Sequence, residues 1–131
     1  MATPVEYLEA IKSMLLADLL VESVEVRREQ STLTDGYMRA RLRFVDGSQL
    51  EFSEYVQIRP DSDVEVITYS YHWADQQDNL IRRWDNTPHY PNLPGFPHHV
   101  HDGVKGAVTT TRLWPFSMNR NWEGKDKSLR M

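Results

Sequence analysis

The sequence has 131 residues, a mass of 15.4 kDa and no cysteine, which suits one globular domain and excludes a disulfide framework, a thiolate metal site and a cysteine nucleophile. Its formal net charge is −4, but residues 1–101 hold 9 Lys/Arg against 16 Asp/Glu, whereas 102–131 hold 6 against 3; nucleic-acid binding would need a local patch rather than net charge. No run approaches the roughly 20 apolar residues of a membrane helix, and the N-terminus lacks the basic region of a signal peptide, so a cytoplasmic protein without membrane association is expected.

The chain should open with a helix. Thr3 can cap it, Pro4 suits the first position, and Glu6 completes a capping box. Val5, Leu8, Ile11, Leu15 and Leu19 recur at helical spacing and are expected to face a core. Five strands should follow. Val24 and Val26 alternate with Glu25 and Arg27. Met38, Ala40, Leu42 and Phe44 alternate with Arg39, Arg41 and Arg43. Asp46-Gly47 signals a hairpin turn. Leu50, Phe52 and Val56 then share one face, with Glu51, Ser53 and Tyr55 on the other. Val64–Trp73, rich in β-branched and aromatic residues, reads as a central strand. Gln76–Asn79 is a polar turn before a short strand over Leu80–Trp84.

Short connections favour antiparallel neighbours. The predicted fold is α+β: an antiparallel meander of about five strands, an N-terminal helix packed on one face, and an irregular C-terminal tail. Residues 1–104 form the expected domain and 105–131 the tail. Within that domain, Pro88, Pro91, Pro94 and Pro97 recur every three residues, the period of polyproline II, and predict a stiff arm over Thr87–Pro97.

That arm leads into His98-His99-Val100-His101-Asp102, with His89 upstream. Three chemistries suit this cluster. In extended backbone His99 and His101 point to one side and could share a metal with Asp102 or His89. No cofactor is expected beyond such a divalent metal. Two imidazoles can instead act as base and acid in RNA cleavage through the 2′-OH, with Arg82, Arg83 or the Arg39/Arg41/Arg43 stripe as the cation at phosphate. Asp85 could orient a ring. The histidines could equally hold the arm by bonding to backbone carbonyls. The arginine stripe has a plain explanation as a solvated face paired with Glu51 or Glu25. Tyr69, Tyr71 and Trp73 suit a core face, or a platform on which single-stranded bases stack. No phosphate loop, dinucleotide fingerprint or nucleophile elbow is present.

The motifs Tyr69-Ser70-Tyr71-His72-Trp73, Trp84-Asp85-Asn86-Thr87-Pro88-His89 and Phe96-Pro97-His98-His99-Val100-His101, together with Leu50–Tyr55, resemble the TumE family of toxin–antitoxin proteins over about residues 5–104. The matching polar positions are Glu54, Tyr71, His72, Asp85, His89, His98, His99 and His101. The resemblance implies a small cytoplasmic toxin neutralised by a partner with a helix-turn-helix DNA-binding domain. After Gly103 the basic, aperiodic sequence departs from the acidic amphipathic helix usual in relatives. The expected function is a toxin that cleaves RNA by histidine acid–base catalysis, with His98, His99, His101, Asp85, His89, Arg83, Tyr71 and Glu54 as candidate site residues and His99, His101 and Asp102 as candidate metal ligands. The alternative is a non-enzymatic binding protein, or a degenerate toxin, whose histidine cluster is structural or holds a metal.

Overall fold

A computed structural model describes residues 3–60, 63–88 and 97–103, and the backbone of 107–109. Helix α1 spans Pro4–Ala17. Among the described residues seven strands follow in chain order: β1 Val21–Ser31, β2 Asp35–Phe44, β3 Gln49–Ile58, β4 Val64–Ala74, β5 Leu80–Asp85, β6 His99–Asp102 and β7 Ala107–Thr109. They form one sheet in sequential order, and every adjacent pair is antiparallel. The meander and its packed helix are as the sequence predicts.

The helix begins where its capping chemistry places it. Thr3 Oγ1 accepts from the Glu6 amide at 3.2 Å, and Glu6 Oε1 accepts from the Thr3 amide at 2.9 Å. These bonds satisfy two donors that a helix start leaves orphaned. Leu8, Ile11 and Leu15 are buried and share a core with Met38, Ala40, Leu42, Leu50, Phe52, Tyr71 and Trp73. Two of the five predicted core positions differ. Val5 is 48% exposed and Leu19 93% exposed. The buried stripe runs through Pro4, Leu8, Ile11 and Leu15, and Val5 lies one residue, about 100°, off it. Leu19 falls beyond the Asp18 C-cap, where the chain turns toward β1.

The helix packs on β1–β3, so the sheet has a helix face and an opposite face that is helix-free among the described residues. Residue parity decides which side chain goes where. Met38, Ala40 and Leu42 of β2, Leu50, Phe52 and Val56 of β3, and Tyr69, Tyr71 and Trp73 of β4 are buried on the helix face. The Arg39/Arg41/Arg43 stripe lies opposite. There Arg41 donates to Glu51 Oε1 at 2.6 Å across the β2–β3 pair, as the plain explanation of the stripe requires.

The strand count exceeds the predicted five because His99–Asp102 and Ala107–Thr109 also pair into the sheet. The part of the expected irregular tail at 107–109 is therefore strand. Residues 110–131 and most of the proline arm, including His89, lie outside the described residues. Where β6 ends, a Cβ on Gly103 would stand 1.9 Å from the Leu80 carbonyl oxygen. Only glycine allows that approach, and the Gly103 amide donates to Ile81 O at 2.9 Å.

Leu42 is fully buried, and Leu42→Ala should cost about 2–5 kcal/mol. Leu19→Ala, at an exposed site, should stay within about 0.5 kcal/mol of the parent. Urea denaturation of the two variants checks both values.

Candidate active site

Two rows of polar residues cross the helix-free face in register. One runs Arg41, Glu51, His72, Arg83, His101 from β2 to β6, and the other runs Arg39, Ser53, Ser70, Asp85, His99. Paired residues in antiparallel strands lie about 4.5–5.5 Å apart at Cα. Sequence-distant groups thus become neighbours by pairing alone. Tyr37, Arg39, Glu51, Ser53, Ser70, His72 and Arg83 line a cleft of about 330 Å³ on this face.

Beside the cleft stands a cluster built on Asp85, the last residue of β5. Asn86 fixes the strand end, since its Oδ1 accepts from the Tyr69 amide at 3.0 Å and its Nδ2 donates to Ile67 O at 2.9 Å. The Asp85 carboxylate then accepts from Arg83 Nε at 2.9 Å and from the Thr87 amide at 3.0 Å. His99 Nε2 lies 3.0 Å from Asp85 Oδ1, and His101 Nε2 lies 3.9 Å from Oδ2. Burial works to raise the Asp85 carboxyl, but the Arg83 and Thr87 hydrogen bonds and the charges of His99 and Arg83 hold it below its ordinary value.

The two histidines differ in access. The His99 side chain is 1% exposed, and that of His101 is 27% exposed. A carbonyl can only accept, so the 2.9 Å contact of His99 Nδ1 with Pro97 O places a proton on Nδ1. The other ring nitrogen, Nε2, stands 3.0 Å from Asp85 Oδ1 as a close polar contact, and the His101 ring packs edge-on to the His99 ring at 4.9 Å. The His99 ring is thus enclosed, whereas the His101 ring borders solvent.

His72 completes the row beyond Arg83. Its Nδ1 lies 3.4 Å from Arg83 Nη1. Burial, then the Arg83 charge, lowers its affinity for a proton below the ordinary histidine value, which favours the neutral ring. The sequence reading noted His72 as a matching position but not as a site residue. The signal was available in the alternation of β4, which puts His72 opposite Tyr71 and Trp73.

Other candidates stand elsewhere. Glu54 and Tyr71 are buried on the helix face, where Glu54 accepts from Tyr7 Oη at 2.7 Å and from Tyr71 Oη at 2.5 Å. Burial and the Glu54 charge push the Tyr7 hydroxyl well above its usual range. His98 also faces that side, stacked on Tyr69 at 5.6 Å with Nδ1 2.8 Å from its hydroxyl. Burial, then His99, lowers the His98 value. Asp102 pairs in register with Arg82, 3.6 Å away as an ion pair, and parity turns it from His99 and His101. Among the described residues, Asp85, His99 and His101 bring one possible ligand atom each within 4.8 Å of the others; the sequence reading set these two histidines with Asp102.

The lowered His72 value has a consequence for stability. The unfolded chain takes up this proton near the ordinary histidine value of 6.5, before the folded chain does. Stability from this group is complete above that pH and is lost as the pH falls through the folded value. The urea midpoint should therefore decline from pH 7.5 to 5.5, and less steeply in His72→Asn.

Neither the curated proteins nor the solved structures contain a match to this chain. Among the described residues no helix is long and apolar enough to cross a membrane. A family model described as toxin TumE matches residues 9–121. The match runs past Gly103, so the departure read from the sequence there does not end the similarity. The chain belongs to the toxin TumE family, the toxin component of a toxin–antitoxin module.

Proposed function

We propose that the helix-free face cleaves RNA, with His72 as general base, His101 as general acid and Arg83 as the phosphate-binding cation between them. The observation that carries this reading is the His72–Arg83–His101 row, in register across β4, β5 and β6. Two strand spacings set the histidine Cα atoms about 10 Å apart, so two rings can bracket one phosphodiester with a guanidinium beneath it.

In the reaction His72 Nδ1 accepts the 2′-OH proton as O2′ attacks phosphorus. Neutral His72 suits that task, and a phosphate seated on Arg83 draws the guanidinium away from Nδ1. Charge builds on the phosphoryl oxygens, where Arg83 and Arg39 offer donors. The P–O5′ bond breaks, and protonated His101 delivers its proton to O5′. The products are a 2′,3′-cyclic phosphate and a 5′-hydroxyl. Asp85 and His99 hold His101 in place. Glu54 and Tyr71 act on the opposite face, tying helix to sheet through Tyr7.

The remaining parts rest on the family and on charge. A net charge of −4 suits a division of labour in which a helix-turn-helix antitoxin binds DNA and the toxin meets cytoplasmic RNA through a local patch.

An acid–base pair contributes typically 10²–10⁴-fold in rate. His72→Ala and His101→Ala should each slow cleavage of a synthetic RNA by about 100-fold or more and relieve growth inhibition, with melting temperatures within a few degrees of the parent. His99→Ala should lower the melting temperature as well, because it empties a buried position. Parental cleavage in the His72/His101 double variant would end the acid–base proposal.

A further inference from the structure

We infer that Asp85, His99 and His101 form a binding site for a zinc-class divalent cation, and that its occupation switches RNA cleavage off by engaging His101. The second clause rests on the function proposed above; the first does not.

The donors are already close. One ligand atom from each of the three residues lies within 4.8 Å of the others. Zinc bonds of about 2.0–2.2 Å to nitrogen and oxygen place tetrahedral donors some 3.3 Å apart. His99 Nε2 and Asp85 Oδ1, at 3.0 Å, are near that spacing; His101 Nε2, 3.9 Å from Oδ2, stands a little beyond it. The set of two imidazoles and one carboxylate suits zinc or nickel better than magnesium or calcium, which prefer oxygen alone.

The outer contacts fit as well. A metal-binding histidine usually donates its other N–H to a carbonyl or carboxylate. His99 Nδ1 does so to Pro97 O, which leaves Nε2 on the side of Asp85, 3.0 Å from Oδ1. Arg83 and the Thr87 amide hold the carboxylate. Two ligands are buried and the third, His101, borders solvent. The cation therefore enters from the helix-free face, with a fourth position left for water.

The consequence follows from one atom. His101 Nε2 cannot carry the proton for O5′ and bind a cation at once. Zinc should thus inhibit the cleavage that the metal-free protein performs, and a chelator should restore it.

The test titrates the full chain, freed of metal, with zinc chloride by calorimetry and with cobalt(II) by visible absorption. One equivalent should bind, and cobalt should give the intense bands of a four-coordinate site. His101→Ala, whose ring is partly exposed, should weaken zinc binding by at least about 10-fold, the scale on which ligands and their supports act. Asp102→Asn should bind as the parent does. Binding unchanged in His101→Ala, or lost in Asp102→Asn while the protein stays folded, would overturn the site. Cleavage that zinc accelerates or leaves unchanged, with the cation bound, would overturn the switch. An inactive metal-free protein that still binds zinc through His101 would refute the proposed function and uphold the site.

Discussion

Strand register is the constraint on which everything at this site depends. Side chains of a strand alternate with a period of two, so a slip of one residue between β4 and β5 would send Arg83 and Asp85 to the helix face. The observed pairing sets His72 against Arg83 and Arg83 against His101. It also sets Tyr71 against Trp84 and Trp84 against Val100 on the other side, where aromatic burial rewards it. The apolar face thereby enforces the polar one: burial of Tyr71, Trp73 and Trp84 keeps the histidines and Arg83 aligned.

The two faces handle buried charge differently. Glu54 sits at an inward position of β3, between Phe52 and Val56, and two tyrosine hydroxyls supply its hydrogen bonds. Removing one partner from such a group costs more than the bond itself contributes. That arrangement fastens α1 to the sheet and leaves the carboxylate no open side. Asp85 is buried too, but it receives a guanidinium, an amide and a histidine, and a second histidine at the solvent boundary stands near it. Proton transfer and metal binding both need one group that reaches solvent, and His101 supplies it.

Much of this was legible in the residues. The capping box, the Leu8/Ile11/Leu15 stripe and the alternation of β2 and β3 each follow from local spacing. The shared side of His99 and His101, with the Asp85 carboxylate beside their rings, follows from extended backbone and the chemistry of carboxylates. Other features depend on long-range pairing. β6 is four residues long and follows a run of prolines, so no periodicity announces it. Without β6 there was no way to see that Asp85 pairs with His99, that Asp102 turns away, or that His72 and His101 flank one arginine. Glu54 carried a readable signal of its burial, an acid at an inward-facing position of β3.

The most direct measurement is a crystal structure of the protein with a short RNA whose cleavage-site 2′-OH is replaced by hydrogen, leaving no nucleophile. The account predicts the scissile phosphate within hydrogen-bonding distance of Arg83 on the helix-free face, the 2′ carbon toward His72 and O5′ toward His101. RNA bound on the helix face, or across the cleft with its phosphate remote from both histidines, would contradict it.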